Sequence, residues 1–460
     1  MRGNLIFYAY FVGIIINLNP KPMNQQASEL LNPLSKKNRI ESMDVLRGIA
    51  LFGILLMNIA GFGLPSPSYG DPTIAGGSTG INLYAWITTN LFFEGTMRAI
   101  FSLLFGAGFI ILTSRNEDRG AGLEVADVHY RRVIWLVLFG LVHAYLLLWT
   151  GEILFSYGIM GLFLFPFRKL VPNVLLIAGI ALMLIGTFWE VMEHNSLTKT
   201  HDIALVAKAE KEAGKELSKE NKKALEDWDG IVKKKKPTQE VINERTDAMH
   251  KGYFSIVKTL APINYDGQTM YPYRYDVWDV LSMMFIGMAV FKLGFLNASK
   301  SYGTYTLMVV IGYAIGLAIN IYEIKTIINN DFSILSFSQT NMTYYVGRIF
   351  TAMGHVGLVM IFCKSGILKI LSNSLAAVGK MALTNYIMHS IICAFIFLGF
   401  GFSLFGELQR YELYYVVFAI WILQLILSPL WLKKFNYGPL EWGWRYLIYK
   451  QWPKLRDEEI

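Results

Sequence analysis

The chain has few charged residues and very little cysteine. Charged residues make up 17% of its 460 positions and hydrophobic residues 54%, and the two cysteines are Cys363 and Cys393. A soluble domain carries about 25% charged residues, so the shortage of charge indicates that lipid surrounds much of the chain. Both cysteines lie in apolar runs, which argues against a disulfide framework or a thiolate metal site and favours two small buried side chains.

The sequence also lacks the alternation of apolar and polar residues that a transmembrane β-barrel requires. Its apolar runs are continuous and have about the length of a helix that crosses a hydrocarbon core of about 30 Å. Backbone polar groups in lipid have to be satisfied within their own segment, so each run is expected to be a helix. We therefore predict an all-α, polytopic transmembrane helix bundle in the lipid bilayer of the cell membrane. Its spans, about ten in number, are placed at 45–64, 96–114, 132–149, 152–167, 170–189, 277–297, 303–322, 343–363, 381–400 and 412–432.

Lysine and arginine are distributed unevenly among the connections between these runs. Every second connection is basic, whereas the short connections between them carry almost no lysine or arginine; the basic ones are the segment before the first span, 115–132, 168–169, 300, 364–369 and the tail. Basic residues collect on the cytoplasmic side of membranes, so both termini are predicted to be cytoplasmic. The same bias explains the net charge of +8. No nucleic-acid-binding motif accompanies that charge, and no nucleic-acid partner is predicted.

One long polar segment divides the chain into two transmembrane halves. Its KAEKEAGKELSKENKKALEDW stretch mixes both charges at helical spacing, which favours a solvated helix or hairpin on the extracytoplasmic side. The YPYRYDVWD run that follows it is typical of an aromatic belt at the membrane interface. The predicted parts are an N-terminal extension at 1–38, a first half with five spans at 39–189, the charged helical loop at 190–276, a second half with five spans at 277–432 and a basic cytoplasmic tail at 433–460.

The first span contains three polar side chains inside an otherwise apolar helix. Asp44 and Arg47 are three residues apart, on one helix face, and are able to pair. Asn58 follows Arg47 at a distance of about 16 Å along a helix and on the same side. The pair is either an anchor at the cytoplasmic end or the start of a polar path that includes Asn58. Asn58 is otherwise explained as a hydrogen-bond partner between helices.

Polar side chains recur in later spans, where each costs several kcal/mol unless it serves packing or function. His143 ends the third predicted span and Glu152 opens the fourth. Histidine and carboxylate on facing helices form either an acid–base pair or a structural hydrogen bond that closes the hairpin. Two further pairs share a helix face, Arg348 with His355 and Asn385 with His389. Together these residues predict a polar cavity inside the bundle.

Several familiar catalytic patterns are missing from the sequence. There is no H-E-x-x-H zinc motif, no G-x-S-x-G nucleophile turn and no Walker A motif, so any transport is expected to be secondary rather than driven by ATP. Gly106 and Gly108 in FSLLFGAGF follow no strand, and this favours close helix approach over a phosphate-binding loop. No metal and no required cofactor are predicted.

The order of several stretches resembles the YeiB-like bacterial membrane proteins, whose C-terminal half carries a domain of unknown function. The resemblance covers almost the whole chain apart from the first residues and the extracytoplasmic loop. The stretches are DVLRGIALFGILLMNIAGFGLP at 44–65, SLLFGAG at 102–108, LFGLVHAYLLLWTGEILFSYGIMG at 138–161, GKMALTNYIMHSIICAFIFLGFGFSLFG at 379–406 and LSPLWLKKFNYGPLEWGWR at 427–445.

That family is similar to membrane acyltransferases of the heparan-glucosaminide N-acetyltransferase type and of the larger sugar O-acyltransferase group. The shared element is D-x-x-R-G at the start of the first span. Asn58 matches the asparagine of the acetyltransferase type, whereas Tyr69 stands at the position of its catalytic histidine. The histidine position of the O-acyltransferase group holds Met57. The resemblance therefore implies that Tyr69, or the His143–Glu152 pair, handles the proton.

Three functions are compatible with this sequence. The first is an acyltransferase with acyl-CoA as co-substrate and a small molecule, glycan or lipid as acceptor; the alternatives are a secondary transporter and a non-catalytic scaffold or sensor. Oligomeric state is left open, with a homo-oligomer as one alternative. The predicted site residues are Asn58, Tyr69, His143 and Glu152 for catalysis, Asp44, Arg47 and Arg348 for the co-substrate, and His355, Asn385 and His389 for the substrate.

Overall fold

The structure is a computed structural model, and it describes residues 40–118, 120, 122 and 124–456. Within these ranges there is no strand and most residues are helical, which confirms the all-α prediction. The predicted N-terminal extension at 1–38 lies outside the described residues. Both cysteines are free, with Cys393 buried and Cys363 partly buried, as their apolar surroundings indicate.

The first half of the chain forms helices around a central first helix. Helix α1 begins with Glu41 and Asp44 in its first turn, where carboxylates favour the positive end of a helix dipole. Its 23 residues extend about 34 Å, enough to cross a bilayer core. The helices are α1 (Glu41–Gly63), α2 (Gly80–Phe92), α3 (Thr96–Asp118), α4 (Glu124–Tyr145), α5 (Leu154–Leu162) and α6 (Pro172–Glu212), with short 3-10 turns at Ser66–Tyr69 and Phe165–Phe167.

The charged segment after the first half is helical throughout most of its length. Helix α6 has 41 residues and is about 60 Å long, so it continues well beyond a bilayer core. Ser218 caps the next helix by accepting a hydrogen bond from the backbone N–H of Asn221. The helices are α7 (Lys219–Lys235), α8 (Gln239–Met249) and α9 (Tyr253–Thr269), and a π-helix at Pro272–Leu281 leads into the second half.

The second half contains three long helices and a sharply bent pair. The bend between the helices Lys369–Lys380 and Ala382–Phe397 measures 82°. Gly366, with φ +68°, ends the helix before this pair in the left-handed conformation that glycine adopts without strain. The helices are α10 (Ser282–Lys292), α11 (Tyr302–Asn329), α12 (Ile334–Ser365), α13 (Lys369–Lys380), α14 (Ala382–Phe397), α15 (Arg410–Lys434) and α16 (Pro439–Tyr449).

Six helices of the described chain are long and apolar enough to cross a membrane, or seven if α13 and α14 form one broken span. The apolar run at 152–167 contains only α5, whose nine residues extend about 14 Å, and a 3-10 turn. The helices thus support a membrane protein, while the number of about ten spans stays a prediction.

The basic connections come together at one end of the bundle, which we name the basic end (residues 40–44, 115–118, 168–171, 292–301 and 364–369). There the Ser42 hydroxyl donates to the Leu296 carbonyl at 2.7 Å, and Arg168 Nε pairs with Glu117 at 2.8 Å. The other end (residues 63–95, 145–153 and 398–409) is joined by the Gly406 N–H, which donates to the Gly63 carbonyl at 2.8 Å. This grouping follows the alternation of basic connections; the assignment of the basic end to the cytoplasm stays a prediction.

The helices approach one another closely where small residues face a neighbouring backbone. A Cβ atom at Gly106 of α3 would overlap the Met284 carbonyl oxygen of α10, and one at Gly287 would overlap that of Leu103. The predicted close approach is therefore confirmed at Gly106. It is wrong at Gly108, where a Cβ atom would meet no described atom within 4 Å.

Candidate functional site

A cavity of about 590 Å³ opens between the helices toward the end opposite the basic end. Its walls come from α1, α3, α5, α6, α9, α12 and the π-helix, together with the 3-10 turn at Ser66–Tyr69 and the turns that precede α3 and α5. The volume lies in the range of small-molecule sites, about 300–1,000 Å³. The polar side chains that line it are Asn58, Ser66, Tyr69, Glu94, Arg98, Thr150, Glu152, Ser156, Tyr157, Glu190, Asn264, Gln268, Tyr271, Tyr275, Asp276, Asp279, Asn341, Tyr344 and Tyr345.

Tyr69 and Glu94 form a hydrogen-bonded pair on the cavity wall. The Tyr69 hydroxyl donates to Glu94 Oε2 at 3.0 Å, and the Tyr344 hydroxyl lies 3.5 Å from Glu94 Oε1. Tyr69 is 36% exposed, and the protein atoms crowded around its hydroxyl together with the nearby charge of Glu94 raise its pKa above the ordinary value. Tyr69 therefore keeps its proton at neutral pH and acts as the hydrogen-bond donor to Glu94.

The turn between α2 and α3 fixes the position of Glu94. Gly95 has φ +66°, a left-handed conformation that glycine adopts without strain. A Cβ atom at this position would also overlap the Tyr344 hydroxyl, so a larger residue would displace the ring that faces Glu94. Glycine here thus allows the chain to reverse immediately after Glu94 and to bring it against Tyr344.

Arg98 and Asp279 form an ion pair that joins α3 to the π-helix. Arg98 also donates to the Tyr344 hydroxyl at 3.3 Å, and its backbone carbonyl accepts from the Tyr157 hydroxyl at 3.2 Å. A charged pair with additional hydrogen bonds is held in one geometry more firmly than an exposed pair. These contacts connect four elements of the cavity wall, α3, the π-helix, α12 and α5.

Asp276 is the most enclosed carboxylate of the cavity. Only 4% of its surface is exposed, and its Oδ2 atom has no hydrogen-bond partner among the described residues. Burial raises the pKa of Asp276 to about 6, against the opposing attraction of Arg98. The π-helix that carries it is rare in proteins and frequently found at functional sites.

Three of the four predicted catalytic residues line the cavity, and the fourth, His143, does not. Asn58, Tyr69 and Glu152 line the cavity, and the Asn58 amide makes no hydrogen bond to another described residue. The Glu152 carboxylate accepts the backbone N–H groups of Leu154 and Phe155 and so caps the start of α5.

His143 lies behind Glu152 and is fully buried. Its Nε2 atom is 2.6 Å from Ser390 Oγ, while its Nδ1 atom is 3.4 Å from Glu152 Oε1, a long hydrogen bond. These contacts tie α4 to α14 and to the start of α5. His143 reaches the cavity only through Glu152, and this supports the structural alternative of a closed hairpin.

The three residues predicted to hold the co-substrate are not brought together. Arg47 donates to Asp44 at 2.7 Å, and this pair lies at the basic end, outside the cavity lining. Arg348 instead pairs with buried Glu323 and donates to Asn320 Oδ1 at 3.0 Å, which links α11 and α12. Asp44 and Arg47 are thus one unit and Arg348 is another.

The predicted substrate residues are also separated. His355 contacts the Tyr313 hydroxyl at 2.9 Å and the Phe92 carbonyl at 3.0 Å, and it does not line the first cavity. Asn385 lines a second cavity of about 610 Å³ beside α15. His389 lies next to it and contacts Gln424 Oε1 at 3.0 Å.

Five charged residues of the cavity are absent from the predicted site: Glu94, Arg98, Glu190, Asp276 and Asp279. Glu94 and Arg98 are four residues apart at the start of an apolar run, and Asp276 and Asp279 are three apart within YPYRYDVWD. In the sequence such spacing predicts a shared helix face for each pair, although Glu94 lies in the turn before α3. Charged side chains three or four residues apart beside an apolar run are therefore the signal that could have identified these two pairs.

Comparison with known proteins gives relatives that match almost the whole chain. The uncharacterized protein YxaH of Bacillus subtilis (strain 168) is 28% identical over 436 residues, 92% of this chain and 98% of its own. The uncharacterized protein YeiB of Escherichia coli (strain K12) is 28% identical over 417 residues, 88% of this chain and 95% of its own. The chain is YeiB-like. No solved structure matches it.

A family described as "Protein of unknown function (DUF418)" matches residues 290–451 of this YeiB-like chain. The match agrees with the resemblance of the C-terminal stretches. It includes Asn385, His389 and the second cavity, but most of the first cavity's polar residues, among them Asn58, Tyr69 and Asp276, precede it. The candidate site is therefore formed largely by the half of the chain before the matched region.

Proposed function

We propose that this protein is a multi-pass acyltransferase of the cell membrane that moves an acyl group from acyl-CoA to a small acceptor held in the first cavity. The observation that carries the proposal is the shared position of Asn58 and Tyr69. Both are singled out by the resemblance of the first span, and both line one cavity in which Tyr69 is hydrogen-bonded to Glu94. A proton acceptor, a proton donor and a free amide thus face the same space.

The chemistry assigns a separate role to each of these groups. The acceptor's hydroxyl or amine attacks the thioester carbonyl, a C–O or C–N bond forms, and the C–S bond to coenzyme A breaks. Glu94 accepts the acceptor's proton, which is finally delivered to the departing thiolate. The Asn58 N–H groups donate to the carbonyl oxygen as negative charge develops on it, and Tyr69 orients Glu94.

The acyl donor is expected to approach from the basic end. Arg47 lies there, and Arg132 and Arg445 bring further positive charge near it. Guanidinium groups suit phosphates, which coenzyme A carries. A donor held at Arg47 would extend about 16 Å along α1 to bring its thioester beside Asn58.

Transfer from labelled acyl-CoA to a membrane envelope fraction tests this proposal. Purified wild type is expected to label an acceptor, whereas Asn58→Ala lowers the rate by about 10² to 10³, the usual cost of one oxyanion donor. Glu407→Gln, an exposed change away from the cavity, is the control and keeps the wild-type rate. Equal labelling by wild type, Asn58→Ala and a sample without protein would refute the proposal.

A secondary transporter is the second candidate, and the charge of the cavity favours it. Five carboxylates and one guanidinium line the cavity, while the basic residues of the opposite end are absent from it. A water-accessible site with titratable groups between helices is typical of substrate or proton paths. Counterflow of a labelled solute into proteoliposomes, with no acyl transfer, would favour transport over acyl transfer.

A further inference from the structure

The first cavity holds more negative charge than its own residues neutralise. Its lining carboxylates are Glu94, Glu152, Glu190, Asp276 and Asp279, and its lining guanidinium is Arg98. A surplus of carboxylates alone does not define a site, since neighbouring groups can compensate each of them. The partners of each carboxylate therefore decide whether a charge remains for a ligand.

Four of the five carboxylates have identifiable partners. The set is Asp279 with Arg98, Glu152 with the first N–H groups of α5, Glu190 with Arg274 at 3.7 Å, and Glu94 with the hydroxyls of Tyr69 and Tyr344. These contacts stabilise each carboxylate by an ion pair or by hydrogen bonds to the charged form. The cavity thus keeps four of its negative charges engaged without a ligand.

Asp276 is the exception, because among the described residues it has no ion pair and only one hydrogen bond, with Ser156. It is 4% exposed, borders the cavity, and its Oδ2 atom has no hydrogen-bond partner among the described residues. Its other interactions are a hydrogen bond with Ser156 and the longer-range attraction of Arg98, which already pairs with Asp279. A buried polar atom without a partner is costly, so this oxygen is a ready acceptor for a donor group within the cavity.

The surroundings of Asp276 favour an organic cation over a metal ion. Within the described ranges, no three histidine, cysteine or acidic side chains are placed to hold a metal. The cavity is far larger than a single ion, and aromatic side chains such as Trp149, Tyr271 and Tyr344 form part of its walls. Aromatic faces attract organic cations, and a protonated amine also has the N–H groups that Oδ2 lacks.

We propose that the first cavity binds a compact organic cation, a protonated amine, whose ammonium group donates to Asp276. The inference rests on the proposed function in taking the same cavity as the ligand site, but it concerns binding and needs no acyl donor. The same chemistry is offered by a free small amine and by the ethanolamine head group of a phospholipid. Both sources are therefore included in the experiment.

The experiment compares binding of ethanolamine and of ethylene glycol, a neutral analogue of similar size, to the purified full chain by calorimetry at about pH 8. Wild type is expected to bind ethanolamine at least about tenfold more tightly, because loss of one charge-assisted hydrogen bond costs about 1.5–3 kcal/mol, which corresponds to a factor of ten or more. Asp276→Asn is expected to lose this preference and Asp276→Glu to retain part of it. The matched control is Asp266→Asn, an exposed aspartate of α9 that does not line the cavity.

A second arm measures thermal stability in nanodiscs made of phosphatidylcholine alone or with phosphatidylethanolamine. Stabilisation by phosphatidylethanolamine that Asp276→Asn removes, without binding of free ethanolamine, identifies the lipid head group as the source. Equal affinity for ethanolamine and ethylene glycol together with no effect of phosphatidylethanolamine would overturn the inference, as would unchanged amine binding by Asp276→Asn. If the protein binds the amine but transfers no acyl group, the inference holds and the proposed function is refuted. If the protein transfers an acyl group at a rate that Asp276→Asn leaves unchanged and binds no amine, the inference is refuted and the proposed function holds.

Discussion

The Tyr69 hydroxyl donates to Glu94 across 3.0 Å and joins the turn after α1 to the turn before α3. Under the proposed function, the resemblance of the first span implies a histidine at residue 69, and the structure has a tyrosine paired with a carboxylate there. Because the raised pKa of Tyr69 keeps its proton in place, the proposed mechanism gives the proton-accepting role to Glu94. In this proposal the work of one catalytic histidine is divided between two residues, Tyr69 as hydrogen-bond donor and Glu94 as proton acceptor.

Removing the charge of Glu94 is expected to have a larger effect on acyl transfer than removing the Tyr69 hydroxyl. Glu94→Gln deletes the proton acceptor and should lower the rate by about 10² to 10⁴, whereas Tyr69→Phe deletes one orienting hydrogen bond and should cost about tenfold. Single-turnover rates with labelled acyl-CoA measure both. Glu407→Gln again serves as control, and a Tyr69→Phe effect larger than that of Glu94→Gln would contradict the assignment of roles.

Asp276 is expected to make the folded protein less stable as the pH rises. Folding raises the pKa of this carboxyl to about 6, so the folded state favours its protonated form. The resulting contribution to stability is fully present below the ordinary pKa of about 4 and is lost as pH rises through about 6.

Asp276→Asn removes this titration. The variant should therefore unfold at a higher temperature than wild type at about pH 8, by up to about 3 kcal/mol in free energy, and the difference should vanish near pH 4. Thermal unfolding in detergent across this pH range measures it, with Asp266→Asn as the exposed control. A wild type that is more stable than Asp276→Asn at about pH 8 would contradict the pKa shift.

The sequence predicts the helical class of the fold and the character of α1 well, because both follow from local properties. Long apolar runs need helices in lipid, and the spacing of Arg47 and Asn58 is a property of one helix. The cavity is harder to predict because its charges meet across the chain. Arg98 and Asp279 form their ion pair between α3 and a distant π-helix, and no local pattern specifies that meeting.

Two further residues show why the apolar pattern of the sequence alone does not predict the role of each polar side chain. His143 and Glu152 are correctly expected to face each other, yet Glu152 caps α5 and His143 turns toward Ser390 on α14. Hydrogen-bond partners outside the hairpin decide between catalytic and structural alternatives, and they cannot be read from the hairpin itself. For the same reason Arg348 pairs with Glu323 of the neighbouring helix rather than with the residues of α1.

Gly106 and Gly108 of α3 offer a matched test of close helix approach. In an open helix position, glycine to alanine stabilises by about 0.5–1 kcal/mol, and this is expected for Gly108→Ala. Gly106→Ala should instead destabilise by about 1–3 kcal/mol, because its Cβ atom would overlap the Met284 carbonyl oxygen and force α3 and α10 apart. Unfolding temperatures of the two variants measure the difference; equal shifts for both would show that α3 and α10 are not in this contact.

Substituting either Arg348 or Glu323 alone is expected to destabilise the protein more than substituting both together. Arg348→Met leaves Glu323 charged and buried, and Glu323→Gln leaves Arg348 in the same condition, so each should destabilise by about 3–5 kcal/mol. The double variant removes both charges and should recover much of that loss, since the desolvation cost of the charges disappears with them.

Asp202→Asn, which affects a carboxylate with 67% of its side chain exposed, is the control and should change stability by less than about 0.5 kcal/mol. Denaturation of all four variants in detergent gives the coupling energy directly. Additive single effects in the double variant would mean that the two charges do not depend on each other in the folded protein.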